Sequence, residues 1–428
     1  MSTQLTAARE GEITPAMHAA AAAENTSAEN VREQVARGVA VLPANPAHRN
    51  LRPIVVGSAF RVKVNANIGR SPECSSMTEE CAKLRAALDA GADCVMDLSV
   101  GPDLREVRQG ILENCVVPLG TVPVYEAMFR VGSDVGNLDG RTLLSVVREH
   151  AEAGVDFMTL HAGILREHVP MALRRRMGIV SRGGAVLAEW MARHDRENPF
   201  YEAWDDVLAI CAAHDITVSL GDALRPGCLA DASDQAQFAE LSVLGELVQR
   251  CRGGGVQVMV EGPGHVPLDQ IRMNVEREQA TCDGAPFYVL GPVVTDIAPG
   301  YDHLASSIGA ATAAYHGAAL LCYVTPAEHL GLPTAEDVKA GVIAYRIAAH
   351  AADVAKGLPG ARDVDDEMAA ARVAFDWERQ FSLAIDPATA RERYQRASAS
   401  LGGESDHCSM CGKELCAMRT MQRLADEK

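Results

Sequence analysis

No uninterrupted apolar run in the 428-residue sequence reaches the roughly 20 residues that a helix needs to cross a bilayer. A membrane-spanning helix is not expected. The first residues, with Glu10, Glu12 and a broken alanine-rich stretch, lack the basic, apolar and small-residue order of a secretory signal. A cytoplasmic location is the expectation. Positive charge is also scarce: 40 Lys and Arg stand against 57 Asp and Glu, a net charge of −17. Nucleic-acid binding needs clustered cations, so a phosphate-backbone partner is disfavoured. Arg174-Arg175-Arg176 is a local exception and reads as a solvated face or a small-anion site. Missing, finally, is a Gly-x-Gly-x-x-Gly run after the first strand, the mark of a dinucleotide-binding open sheet.

What is present is apolar residues, at 48% of the chain, enough for a large core. From residue 61 a short Val- or Ile-rich run, a Gly-containing loop and a helical stretch recur. The runs are Val62–Val64, Cys94–Leu98, Val116–Val122, Val155–Leu160, Ile216–Leu220, Val256–Val260, Tyr288–Leu290 and Ala319–Tyr323. Between them lie helix patterns such as Thr78–Ala90, Asp139–Ala153, Ala203–His214, Gln235–Arg252 and Ala335–Ala355. Such alternation indicates βαβ units and a parallel sheet. Eight units predict an α/β fold of the TIM type, a (β/α)8 barrel, over residues 61–356. Residues 1–60 read as a leader with helices near 15–24 and 29–38, suited to packing or subunit contact. After Gly357-Leu358-Pro359-Gly360, residues 357–401 read as a helical C-terminal domain with helices Asp366–Leu383 and Asp386–Ala399. Residues 402–428 form a tail.

Barrel enzymes carry their chemistry where strands end. Those positions hold Asn65, Asn67, Met96, Asp97, Thr121, Tyr125, His161, Asp222, Arg225, Glu261, His265, Tyr288, Asp296, Glu328 and His329. Glu261-Gly262-Pro263-Gly264-His265 turns off the sixth strand, and His329 follows the eighth, so a barrel brings the two histidines near each other. Two imidazoles with open positions suit a zinc- or iron-type ion; a hydrogen-bonded loop pair is the plain alternative. Ser181-Arg182-Gly183-Gly184 can cradle a phosphate. Gly221-Asp222-Ala223-Leu224-Arg225 sets a carboxylate and a second Arg on one loop, either for a small anionic substrate or as a structural ion pair.

Nine of the twelve cysteines are scattered and read mostly as small buried hydrophobes. The other three, Cys408, Cys411 and Cys416, stand at C-x2-C-x4-C spacing in the tail. Thiolates select zinc, copper(I) or iron–sulfur clusters. A structural zinc site and an electron-transfer [4Fe–4S] cluster both want four ligands. Three therefore suggest a cluster with one open iron, where S-adenosylmethionine could chelate; a zinc knuckle completed by another residue remains open. A non-catalytic zinc-tail scaffold and a metal-dependent hydrolase using only His265 and His329 are the competing functional classes.

Several motifs together resemble one family. Asn65-Ala66-Asn67-Ile68-Gly69, Met96-Asp97-Leu98-Ser99, the Ser-Arg-Gly-Gly run, Glu261–Pro267, Thr295–His303, Cys322–Pro333 and the cysteine tail are similar to the ThiC family of thiamine biosynthesis, the phosphomethylpyrimidine synthases. The resemblance runs from about residue 8 to the tail. It implies a radical S-adenosylmethionine lyase that converts 5-aminoimidazole ribotide to hydroxymethylpyrimidine phosphate, with release of formate and carbon monoxide. It further implies a [4Fe–4S] cluster on Cys408, Cys411 and Cys416, and a divalent metal, usually taken in the family as zinc, on His265 and His329. Substrate-binding positions follow as Asn67, Met96, Tyr125, His161, Ser181, Arg182, Gly183, Asp222, Ala223, Leu224, Arg225, Glu261 and Tyr288. A homodimer in which one subunit's tail closes over the other's barrel, and a reductant protein for the cluster, are implied as partners. Two departures stand out: Ala223 replaces the Gly usual in the family, which is expected to tighten the pocket, and the chain resembles the compact members without a long N-terminal extension. A paralogous group, the 5-hydroxybenzimidazole synthases of anaerobic cobalamin biosynthesis, shares ribotide, cluster and scaffold; prevalence favours the pyrimidine product.

Overall fold

The computed structural model describes residues 2–71, 74–399 and 410–426. They form two compact units, Met1–Asp353 and Val354–Lys428. The first unit opens with helices Gln4–Arg9, Pro15–Ala23 and Ala28–Ala36 and the two short antiparallel strands β1 (Ala40–Val41) and β2 (Val56–Gly57). Eight strands follow: β3 (Lys63–Ile68), β4 (Cys94–Asp97), β5 (Leu119–Thr121), β6 (Phe157–Leu160), β7 (Thr217–Leu220), β8 (Val258–Gly262), β9 (Phe287–Leu290) and β10 (Leu320–Cys322). Each pairs in parallel with the next, and β10 pairs with β3 through Leu320↔Lys63, which closes the barrel. Strands whose outer faces meet helices read as nearly continuous apolar runs, which is why all eight were visible in the sequence.

Local chemistry sets the helix ends. Helix Met77–Asp89 starts at a capping box of Ser76 and Glu79, and Gly140–Ala153 starts where the Asp139 side chain accepts the Thr142 N–H at 2.7 Å. Gly154, at φ +105°, ends the latter helix in a left-handed conformation that costs other residues dearly. Gly120 is required for a different reason: a Cβ there would meet the Phe157 ring at 2.2 Å. Barrel and helices bury two large apolar clusters, one including Phe157, Trp190 and Trp204, the other Leu84, Phe287 and Tyr345. Each fully buried large apolar side chain contributes about 1.5–3 kcal/mol.

The leader has its own apolar cluster, with Met17, Val31, Leu42 and Phe60, and is tied to the amino-terminal ends of the barrel strands. Gln257 holds both backbone groups of Leu42, Asp156 takes the Asn45 N–H at 3.0 Å and His48 Nδ1 at 2.7 Å, and Glu24 meets the fully buried Lys63 at 2.9 Å. That end is closed by polar contacts, leaving the carboxyl ends of the strands as the open face.

Three element boundaries differ from the sequence reading. The first barrel strand runs to Ile68 rather than stopping at Val64, so Asn65 and Asn67 are strand residues facing the barrel interior. Glu261 likewise lies within β8, and the sharp turn comes after it. In the second unit the expected helix Asp366–Leu383 is two, Ala361–Val373 and Trp377–Leu383, broken at Phe375 (φ +54°) and restarted where Asp376 caps the Arg379 N–H at 2.9 Å. Helix Pro387–Ala399 follows, then, among the described tail residues, helices Gly412–Leu415 and Ala417–Asp426. No helix among the described residues is long and apolar enough to cross a membrane.

Candidate active site

At the open end of the barrel, strand ends and the loops after them surround a pocket of about 70 Å³. Its wall includes Asn67, Met96, Tyr125, His161, Asp222, Arg225, Glu261 and Tyr288. Period-two alternation aims Asn67, Met96, Glu261 and Tyr288 inward from their strands, whereas Tyr125 comes from helix Pro123–Arg130 and His161, Asp222 and Arg225 from the residues just past strand ends. On one side Asn67 donates to the Cys322 sulfur at 3.0 Å and accepts from Asn65 at 2.8 Å, and Tyr288 Oη donates to Met96 Sδ at 3.2 Å. On the other, Glu261 accepts from Thr159 Oγ1 at 2.6 Å and from Ser219 Oγ at 2.8 Å. Burial raises the Glu261 carboxyl above its ordinary range despite those two donors.

His161 is buried, and its Nδ1 has no hydrogen-bond partner among the described residues. Burial, with Arg225 nearby, lowers its pKa to about 3, so a neutral ring faces the pocket. Asp222 bonds Arg225 Nη1 at 3.1 Å, yet burial, against the pull of that guanidinium, pushes the carboxyl up to about 8. Its Oδ2 is a second buried atom without a partner among the described residues. Unmet buried polar atoms are costly in a native protein and mark places where a ligand or water is expected.

Ser181, Arg182 and Gly183, which the sequence offered as a phosphate cradle, do not form a loop. They are the cap and first turn of helix Arg182–His194, with Ser181 Oγ accepting the Gly184 N–H at 3.2 Å. A helix start presents free N–H groups and a positive dipole end, so the anion-binding logic survives in a different form. The turn adjoins the pocket: the Arg182 guanidinium lies 4.7 Å from the Tyr125 ring centre, and a Cβ on Gly183 would stand 2.4 Å from His161 Nδ1. Ala223 and Leu224 are not in the pocket wall. Ala223 therefore does not tighten the pocket by lining it; it packs against Gly184, where an added Cβ would stand 2.8 Å from its own.

His265 and His329 do meet, with ring centres 5.3 Å apart. Asp296 Oδ1 is 2.8 Å from His265 Nδ1, and Asp302 Oδ2 is 3.6 Å from His329 Nδ1. Carboxylates behind two imidazoles are the usual way to orient metal-binding rings. The pair fits a divalent ion completed by water or a ligand, although among the described residues no group of three His, Cys, Asp or Glu side chains converges on a metal-sized point. In the tail, Cys408 lies outside the described residues. Cys411 is exposed, Cys416 half-buried, and both are free thiols flanking the single turn Gly412–Leu415. These two are the described members of the three-thiol set that the sequence offers to an iron–sulfur cluster.

The sequence reading missed Thr159, Ser219 and Cys322. The first two were passed over as members of apolar runs, although a hydroxyl on an inward strand position is a signal for a polar interior. Cys322 is buried as expected of a scattered cysteine, but it faces the pocket.

Fold and pocket define a (β/α)8-barrel enzyme with its chemistry at the carboxyl ends of the strands and a separate cysteine-bearing tail. The sequence matches the profile of the Radical SAM ThiC family across residues 3–423. It is 59% identical over 423 residues to the phosphomethylpyrimidine synthase of Natronomonas pharaonis, covering 99% of this chain and 88% of that one. It is 56% identical over 427 residues to the enzyme of the same name from Halobacterium salinarum, covering 100% and 90%. The chain belongs to the Radical SAM ThiC family. Among solved structures, a dihydropteroate synthase from Xanthomonas albilineans aligns with TM-score 0.44 and 15% identity over 74% of this chain and all of that one. One from Coxiella burnetii aligns with TM-score 0.40 and 15% identity over 69% and 94%.

Proposed function

We infer that the chain catalyses the phosphomethylpyrimidine synthase reaction of thiamine biosynthesis, with 5-aminoimidazole ribotide as substrate. The observation that carries this is the convergence of Asn67, Met96, Tyr125, His161, Asp222, Arg225, Glu261 and Tyr288 on one pocket. They come from seven separate strand–loop units, and chance would not gather them.

In this reading Arg225 and the first turn of helix Arg182–His194, with Ser181, Arg182 and Gly183, bind the ribotide phosphate. Glu261 and Asp222 bond its amine, imidazole or ribose hydroxyls, and the neutral His161 offers Nδ1 as a further partner. Met96, Tyr125 and Tyr288 form walls that exclude water and hold the sugar still. A [4Fe–4S] cluster on Cys408, Cys411 and Cys416 supplies, when bound, the electron that cleaves S-adenosylmethionine to an adenosyl radical. His265 and His329 hold a divalent ion, zinc by the family pattern.

A homodimer is part of the proposal, supported by exposed apolar stripes: Leu304, Ile308 and Tyr315 on helix Asp302–His316, and Met418, Met421 and Leu424 on helix Ala417–Asp426. A reductant protein and a cytoplasmic location accord with free thiols that need a reducing compartment. The test is to incubate anaerobically reconstituted protein with the ribotide, S-adenosylmethionine and a reductant, and weigh the product. Hydroxymethylpyrimidine phosphate supports the reading. A hydroxybenzimidazole, which the names of these relatives do not favour, or no product at all, overturns it.

A further inference from the structure

Glu240 lies outside the pocket wall, on helix Gln235–Gly253, and is 2% exposed. One of its carboxyl oxygens accepts the Ala223 N–H at 2.9 Å, a hydrogen shared with the Gly221 carbonyl at 3.2 Å, and the other accepts the Leu224 N–H at 2.6 Å. These two amides lie between Asp222 and Arg225, whose side chains do line the pocket. A carboxyl group whose two oxygens take two successive backbone N–H groups fixes the peptide planes on either side of them. Burial, with the Asp222 carboxylate nearby, pushes this carboxyl up to about 8 against the pull of the two amides, so the clamp rests on its geometry and not on a full charge. Packing holds the loop as well, since Ala223 and Leu224 are fully buried in the larger apolar cluster, but apolar contact does not pair their N–H groups. Behind the loop is a second cavity of about 30 Å³, walled by Glu240, Asp222, Arg225 and Glu261, with room for about two water molecules. On its other side Ala223 abuts Gly184, so the loop also sets where helix Arg182–His194 can begin.

We propose that Glu240 is a positioning residue: its two carboxyl oxygens clamp the Ala223 and Leu224 amides, and so aim Asp222 and Arg225 at the substrate while anchoring the start of helix Arg182–His194. The proposal rests on the reading of this pocket as the ribotide site. Glu240→Gln offers one acceptor and turns an amide NH2 toward the other N–H. Ribotide binding to the unreduced full-length protein weakens roughly ten- to hundred-fold in this variant, and KM rises more than kcat falls. Glu240→Asp, which keeps both oxygens, recovers part of the affinity. Residue-resolved hydrogen exchange gives a reading independent of substrate: the Ala223 and Leu224 amides exchange slowly in the unmodified protein and fast in Glu240→Gln. Unmodified protein whose two amides exchange like those of an open surface loop, or a folded Glu240→Gln with undiminished affinity, overturns the clamp. Failure of the unmodified protein to bind ribotide would instead overturn the pocket assignment, and the exchange measurement would still decide the role of Glu240.

Discussion

His161 shows how much one buried ring can decide. With its pKa lowered to about 3 by burial, it stays neutral across the physiological range. Its folded value is depressed, so its contribution to stability is fully present above the ordinary histidine pKa of about 6.5 and shrinks as pH falls below it. Unfolding free energy should therefore drop on account of this ring with a slope that grows below pH 6.5 and approaches about 1.4 kcal/mol per pH unit between about pH 5.5 and 4. Denaturant titrations of the unmodified protein and of His161→Asn would show it, the variant having the shallower slope. Gly183 backs closely onto the same ring. Gly183→Ala places a methyl where His161 Nδ1 now lies, 2.4 Å away, and is expected to weaken ribotide binding roughly ten- to hundred-fold by calorimetry. His161, Asp222 and Glu261 were legible in the sequence because titratable residues at strand ends are conspicuous. Thr159 and Ser219 were not, because a hydroxyl within an apolar run gives no sign of which face it occupies until the pleat is known.

At the scale of elements, the strands were legible and their ends were not. Polar residues such as Asn65 and Glu261 look like loop, yet a barrel interior that serves as a site keeps them in strand register. The break at Phe375 was hidden for the opposite reason: nothing but a left-handed aromatic interrupts a helical pattern that otherwise continues. The leader appeared in the sequence as a segment for packing or subunit contact, and the packing depends on contacts over 100 residues away. Asp156 receives His48 Nδ1, the Asn45 N–H and, at 2.8 Å, the Leu119 N–H, so it joins the leader to two strands at once. Asp156→Ala would strand all three buried donors and should cost about 3–5 kcal/mol of unfolding free energy. A loss within about 0.5 kcal/mol, the range of ordinary surface changes, would show that the leader is held by its apolar cluster alone.

At the scale of the molecule, two chemistries are divided between two compact units, a substrate pocket in the barrel and a cysteine set in the tail. The family resemblance read from the sequence agrees with the family to which the chain belongs. The division follows from what each part needs. In the proposed function the ribotide site draws on rigid, converging strand ends, whereas the cysteines stand close together in sequence. Removing one tail sulfur should therefore silence radical chemistry without touching the barrel. Cys411→Ala tests this most directly, with S-adenosylmethionine cleavage and ribotide binding measured on the same reconstituted sample. The expected result is no deoxyadenosine and no pyrimidine product, with ribotide affinity unchanged. A Cys411→Ala protein that still turns substrate over would contradict the account.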